Sequence, residues 1–197
     1  MLFRSIPEPK YNLEISQLSH GAMTGRMIER LEYVMLEESP DYVLVYGDTN
    51  STLAASIAAS KLHIPIAHIE AGLRSYNKLM PEEKNRLITD HLSDLLFCPT
   101  TTAIQNLKNE GLTQGVHLVG DIMLDLNNFI DDFIQANSTD DKKNDDEYVL
   151  LTLHRPENTD HKVRLNQIFK AIKKISEDIK IVMPLHPRTK KIIENNS

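Results

Sequence analysis

The sequence predicts an α/β fold built on a parallel sheet, and three observations carry that expectation. Short apolar runs recur along the chain, each run ends at a polar or glycine-containing turn, and helical patterns lie between them. Near-continuous apolar strands are what a parallel sheet with helices on both faces requires. The runs are Tyr42–Tyr46, ending at Gly47-Asp48-Thr49, and Ile64–Ile69, ending at Glu70-Ala71-Gly72. Leu95–Cys98 ends at Pro99-Thr100, and Val116–Val119 ends at Gly120-Asp121. Tyr148–Leu153 ends at His154-Arg155-Pro156, and Ile179–Met183 ends at Pro184.

Helical patterns fill the gaps. Met23, Met27, Leu31, Val34 and Met35 form one apolar stripe, and Leu165, Ile168, Phe169, Ile172 and Ile175 form another. The segment from Thr52 to Leu62 is apolar nearly all round, and its alanines allow close packing on a sheet. Pro81-Glu82-Glu83 reads as a helix start, with proline in the first turn and acids near the positive end of the dipole. Thr100-Thr101 supplies a cap for the next helix. Asn137 to Glu147 is a polar, Asp- and Lys-rich stretch that reads as a surface loop.

Composition removes several classes of function. The 197 residues bound the chain at one domain or two small ones, and a 41% hydrophobic content excludes a disordered polymer. A net charge of −6 without a clustered basic face argues against a nucleic-acid partner. No apolar run reaches the length of a membrane span, and Met1 to Lys10 has no secretory pattern. The single cysteine, Cys98, excludes an internal disulfide framework and reads as a small buried hydrophobe. A soluble cytoplasmic protein with no membrane partner is expected. The ends look unlike those of a whole doubly wound domain. No strand with a Gly-rich turn opens the chain, and it stops one strand and a helix start after the preceding unit.

Ligands of parallel sheets bind beyond the carboxyl ends of the strands, so the residues there are the candidates. They are Asp48 with Thr49, Asn50 and Ser51; Glu70 and Arg74; Glu82, Asn85 and Arg86; His154, Arg155 and Asn158; and His186 and Arg188. Carboxylates and histidines move protons, and arginines clamp phosphates. Each has a plainer reading. Asp48 reads equally as a helix cap, Glu70 as the partner of Arg74, and Glu82 as compensation of a helix dipole. His68, inside a strand, reads as a satisfied core histidine. The histidines show no metal-ligand spacing, so no metal is expected. Spacing alone stops at an enzyme or binding protein for a phosphorylated small molecule.

The motifs go further. Gly47-Asp48-Thr49-Asn50-Ser51-Thr52, His68-Ile69-Glu70-Ala71-Gly72-Leu73-Arg74, Pro81-Glu82-Glu83-Lys84-Asn85-Arg86 and His154-Arg155-Pro156-Glu157-Asn158 occur in that order. Together with Val119-Gly120-Asp121 and Pro184-Leu185-His186-Pro187-Arg188, this pattern resembles the non-hydrolysing UDP-N-acetylglucosamine 2-epimerase family over essentially the whole chain. The resemblance implies two Rossmann-like domains of the glycosyltransferase-B type facing each other across a cleft. Residues 1–121 would be the back part of the first and 122–197 the front part of the second, both incomplete here. It implies inversion at C2 of a UDP-2-acetamido sugar by elimination and re-addition of UDP, with no NAD, metal or other cofactor.

By motif match, Asp48, Glu70, Glu82 and His154 are the catalytic candidates. Arg74, Arg86 and Arg155 are anion contacts and His186 a nucleotide-sugar contact. Bacterial members use a second UDP-sugar as activator, so Glu82, Arg155 and His186 are open to a role toward either molecule. The resemblance also implies a homodimer for the complete protein. Family members are roughly twice this length, so a non-catalytic remnant, or a subunit needing a complementary chain, stands as the alternative. An epimerase for UDP-2,3-diacetamido uronic acids is a further one.

Overall fold

A computed structural model describes residues 7–137, 147–185 and 187–194. The chain forms two compact units, Met1–Ile134 and Gln135–Ser197. The division falls inside a helix, Ile122–Asn137, that follows the boundary expected at Asp121.

All six expected runs form strands, most of them trimmed at the ends. In the first unit, helix α1 (His20–Glu38) leads into β1 (Val43–Tyr46), α2 (Asn50–Lys61), β2 (Ile66–Ile69), α3 (Pro81–Leu92), β3 (Leu95–Cys98), α4 (Thr101–Asn109) and β4 (Val116–Leu118). Helix α5 (Ile122–Asn137) follows. The four strands are parallel in the order β1-β2-β3-β4. In the second unit, β5 (Tyr148–Leu150) pairs in parallel with β6 (Lys180–Val182). Helices α6 (Pro156–Thr159) and α7 (Lys162–Ile175) lie between these strands, and α8 (Pro187–Glu194) comes after them. Most of the polar stretch 137–147, and His186, lie outside the described residues.

Register decides which side chains reach the core. Val45 of β1 stands opposite His68 of β2, which stands opposite Leu96 of β3. One core joins Met35, Val45, Ala58, Ala59 and Ile66. A second joins Ala71, Leu96, Cys98, Ala103 and Leu107. The alanine-rich α2 buries Ala54, Ala58 and Ala59, as its composition requires for close approach to the sheet. Thr49 caps α2 by accepting from the Thr52 N–H (3.3 Å), and Thr100 caps α4 by accepting from the Ala103 N–H (3.1 Å). Pro81 opens α3, with Glu82 and Glu83 in its first turn.

The expectation that helices cover both faces of every strand fails at β1. Leu44 and Tyr46 remain 48% and 60% exposed. Side chains alternate between the two faces of a strand, and in β1 Val45 is buried while its neighbours Leu44 and Tyr46 are not. Among the described residues, no helix is long and apolar enough to cross a membrane.

Two glycines with positive φ isolate steric crowding from backbone strain. At Gly115 (φ +66°), an added Cβ would stand 1.9 Å from the Asp94 carbonyl oxygen, whereas at Gly111 (φ +84°) it would meet nothing within 4 Å. Gly111→Ala should therefore cost about 1 kcal/mol from φ alone. Gly115→Ala should cost about 3 kcal/mol or more, because the backbone must also shift. Urea unfolding of the two variants checks the difference.

Candidate functional site

The first unit gathers its chemistry where β1 and β2 end. Gly47 follows β1, and its N–H donates to the Ile69 carbonyl (3.0 Å), which ties the two strand ends together. Glu70 follows β2 with φ +69°, a left-handed conformation that is costly for a residue with a side chain. Its carboxylate turns back over the neighbouring turn: a Cβ added at Gly47 would lie 3.2 Å from Glu70 Oε2. Glycine at 47 thus leaves room for the Glu70 carboxylate. That carboxylate is half-buried and has no hydrogen-bond or ion-pair partner among the described residues.

Asp48 sits beside it and is not the cap of α2, a role Thr49 takes. Arg86 Nη2 and Nε donate to Asp48 Oδ2 at 2.5 and 3.0 Å, while Arg86 Nη1 donates to Glu83 Oε2 at 2.9 Å. One guanidinium therefore bridges two carboxylates. The Asn85 amide donates to the Asp48 carbonyl (2.8 Å) and to Asn50 Oδ1 (3.3 Å), fixing the turn after β1 against α3. Glu82 is half-buried in the first turn of α3.

Glu83 is a residue the sequence reading passed over. It is buried and holds the loop after β2 by accepting from the Ser75 N–H (2.8 Å), the Ser75 hydroxyl (2.9 Å) and the Tyr76 N–H (2.8 Å). Burial alone would raise its pKa. These hydrogen bonds and Arg86 outweigh burial and hold the carboxyl below its usual range.

Arg74 does not reach the rim, and it does not pair with Glu70. Its guanidinium is 1% exposed and is shared between Asp90 Oδ2 (2.7 Å) and Glu110 (2.6 and 2.7 Å). Burial works against its charge, but the two carboxylates more than compensate. His68 is the satisfied core histidine its position suggests. Its Nδ1 lies 2.7 Å from Asp90 Oδ1 and its Nε2 lies 2.8 Å from the Gly47 carbonyl oxygen. The Gly47 carbonyl only accepts, so Nε2 is the donor of that bond.

In the second unit, His154 and Arg155 follow β5 and are exposed. The Arg155 carbonyl accepts from the Thr159 hydroxyl (3.1 Å) and the Leu153 carbonyl from the Thr189 hydroxyl (2.7 Å), which anchor that loop to α6 and α8. The structure thus brings Asp48, Glu70 and Arg86 to one strand-end region, leaves Glu82 in the first turn of α3 and withdraws Arg74 into the fold. Only helical spacing marked Glu83, Arg86 and Asp90 as a set. They recur at i, i+3 and i+7, a polar stripe along one face of a helix.

This parallel α/β arrangement, with carboxylates at its strand ends, has clear relatives. The sequence profile of UDP-N-acetylglucosamine 2-epimerase matches residues 2–197, and the chain belongs to that family. It is 55% identical to a UDP-2,3-diacetamido-2,3-dideoxy-D-glucuronate 2-epimerase of Pseudomonas aeruginosa over 96% of this chain and 54% of the relative. It is 45% identical to a UDP-N-acetylglucosamine 2-epimerase of Methanocaldococcus jannaschii over 95% of this chain and 53% of the relative. The crystal structure of the M. jannaschii enzyme with UDP-GlcNAc and UDP superposes with a TM-score of 0.81 at 44% identity, covering 96% of this chain and 54% of that one. The fold is the glycosyltransferase-B-type α/β fold of these structures. The chain spans about half the length of the curated relatives it matches.

The Glu83 clamp makes a pH-dependent prediction. A carboxyl held below its unfolded value adds stability above the usual carboxylate range, and that stability is lost as pH falls through the folded value. Glu83→Gln cannot accept at every position and should lower stability by about 1–3 kcal/mol at neutral pH. Its unfolding free energy should also fall less steeply than that of the parent between about pH 5 and about pH 3. Denaturant titrations across that range check both outcomes.

Proposed function

We propose that this chain carries catalytic groups of an epimerase that inverts C2 of a UDP-2-acetamido sugar, converting UDP-N-acetylglucosamine to UDP-N-acetylmannosamine. The observation that carries the reading is Glu70. A carboxylate with no partner, held at a strand end by a strained backbone, is the kind of group that takes a proton from carbon. Family membership supplies the reaction. Glu70 takes the C2 proton, the C2–H electron pair forms the C1–C2 double bond, and the C1–O bond breaks to release UDP. UDP then adds back to the 2-acetamidoglucal, with the proton returned on the opposite face.

Asp48, Glu82 and His154 are assigned as the further proton-transfer groups of the reaction. The anion contacts fall to Arg155 and His186. Arg86 is held between two carboxylates and sets the orientation of Asp48. The same reading takes the protein to be cytoplasmic, a supplier of nucleotide sugar for polysaccharide synthesis. It includes a second UDP-sugar as activator and a homodimeric complete enzyme. The 55% identity to the diacetamido-glucuronate epimerase favours one further substrate, the UDP-2,3-diacetamido uronate.

The purified chain is incubated with each UDP-sugar in deuterated water and C2 is followed by NMR. Deuterium at C2 together with the C2 epimer is expected, and Glu70→Gln should slow exchange by about 100-fold or more. A chain that is folded by circular dichroism and exchanges neither sugar would favour the remnant or split-subunit reading.

A further inference from the structure

Glu70 is held from behind by a buried group that plays no part in the proposed chemistry. Asp90, on α3, is fully buried. Its Oδ1 takes the His68 ring two residues before Glu70, and its Oδ2 accepts from the Gly72 N–H (3.1 Å) two residues after it. One carboxylate therefore brackets the left-handed residue on both sides. The bracket extends in two directions. His68 Nε2 reaches across to the Gly47 carbonyl, the glycine over which the Glu70 carboxylate lies. Asn106 Nδ2 donates to the Gly72 carbonyl (2.9 Å), and Arg74 ties Asp90 to Glu110 of the α4 end.

We propose that Asp90 and His68 are positioning residues for Glu70, holding its strained backbone and its carboxylate over Gly47. The inference rests on the reading of Glu70 as the base. A left-handed non-glycine residue persists only where its surroundings over-determine it, and these contacts do so. Neither side chain is exposed, so neither touches substrate.

Three variants of the full chain separate the parts. His68→Gln keeps a donor near Nε2 and loses Asp90. His68→Asn keeps a donor near Nδ1 and loses Gly47. Asp90→Asn keeps the volume but can no longer accept at both oxygens. If Asp90→Asn does not fold, the two histidine variants still decide, because they leave the Asp90–Arg74–Glu110 ion pairs intact.

Two readouts are taken on folded protein. Crystal structures should show Glu70 leaving the left-handed region, or its carboxylate withdrawing from Gly47 by about 1 Å or more. A displacement of that size should lower kcat for C2 exchange by about 100-fold. KM should stay within about twofold, the pattern of a group acting in the transition state alone. Unchanged Glu70 geometry in every folded variant overturns the proposal. So does an unchanged kcat, or a loss of activity that only tracks the unfolded fraction. If the parent chain exchanges no UDP-sugar, the epimerase reading of this chain fails, and the Glu70 geometry of the variants alone decides the positioning.

Discussion

A carboxylate cut off from water must have its lone pairs satisfied by the protein, and the Asp90 side chain meets that demand with groups from three places. His68 comes from the strand β2, Gly72 from the turn after it, and Arg74 from the segment beyond. Placing α3 against β2 therefore fixes the whole path of the chain from His68 to Arg74. The strained residue in the middle of that path, Glu70, is the one whose carboxylate is left unpartnered. Removing one member of such a buried set would strand the others, which is why breaking a buried ion pair costs more than forming it contributes.

The two arginines nearest the strand ends are committed to carboxylates. Arg74 serves Asp90 and Glu110 inside the fold, and Arg86 lies between Asp48 and Glu83. A guanidinium is suited to both places because its planar fork can address two carboxylates at once. The consequence is a strand-end region whose free groups are carboxylates, suited to proton transfer rather than to gripping a diphosphate. Arg155, exposed after β5, belongs to the second unit.

The sheet is shaped by the same economy of small residues. Alanines on α2 bring it close to β1, and Gly47 leaves the space that the Glu70 carboxylate occupies. At the sheet edge, Leu44 and Tyr46 stay exposed on the face opposite the core.

The strand runs, the cap at Thr100, the start of α3 at Pro81 and the family itself were legible in the sequence alone, whereas the cap of α2 fell to Thr49 rather than Asp48. Apolar periodicity, capping chemistry and ordered motifs are local signals, and local signals survive in one dimension. Asp48 and Glu70 stood out for the same reason, each lying in the turn that ends an apolar run. What became of the arginines was not legible. Glu70 and Arg74 are near neighbours in the chain, yet Arg74 reaches Glu110 instead, 36 positions away. Asp90 looked like one more polar residue on a helix until the register of β2 against α3 set it behind Glu70. Such pairings depend on which faces of separate elements meet, and only the packed sheet and helices decide that.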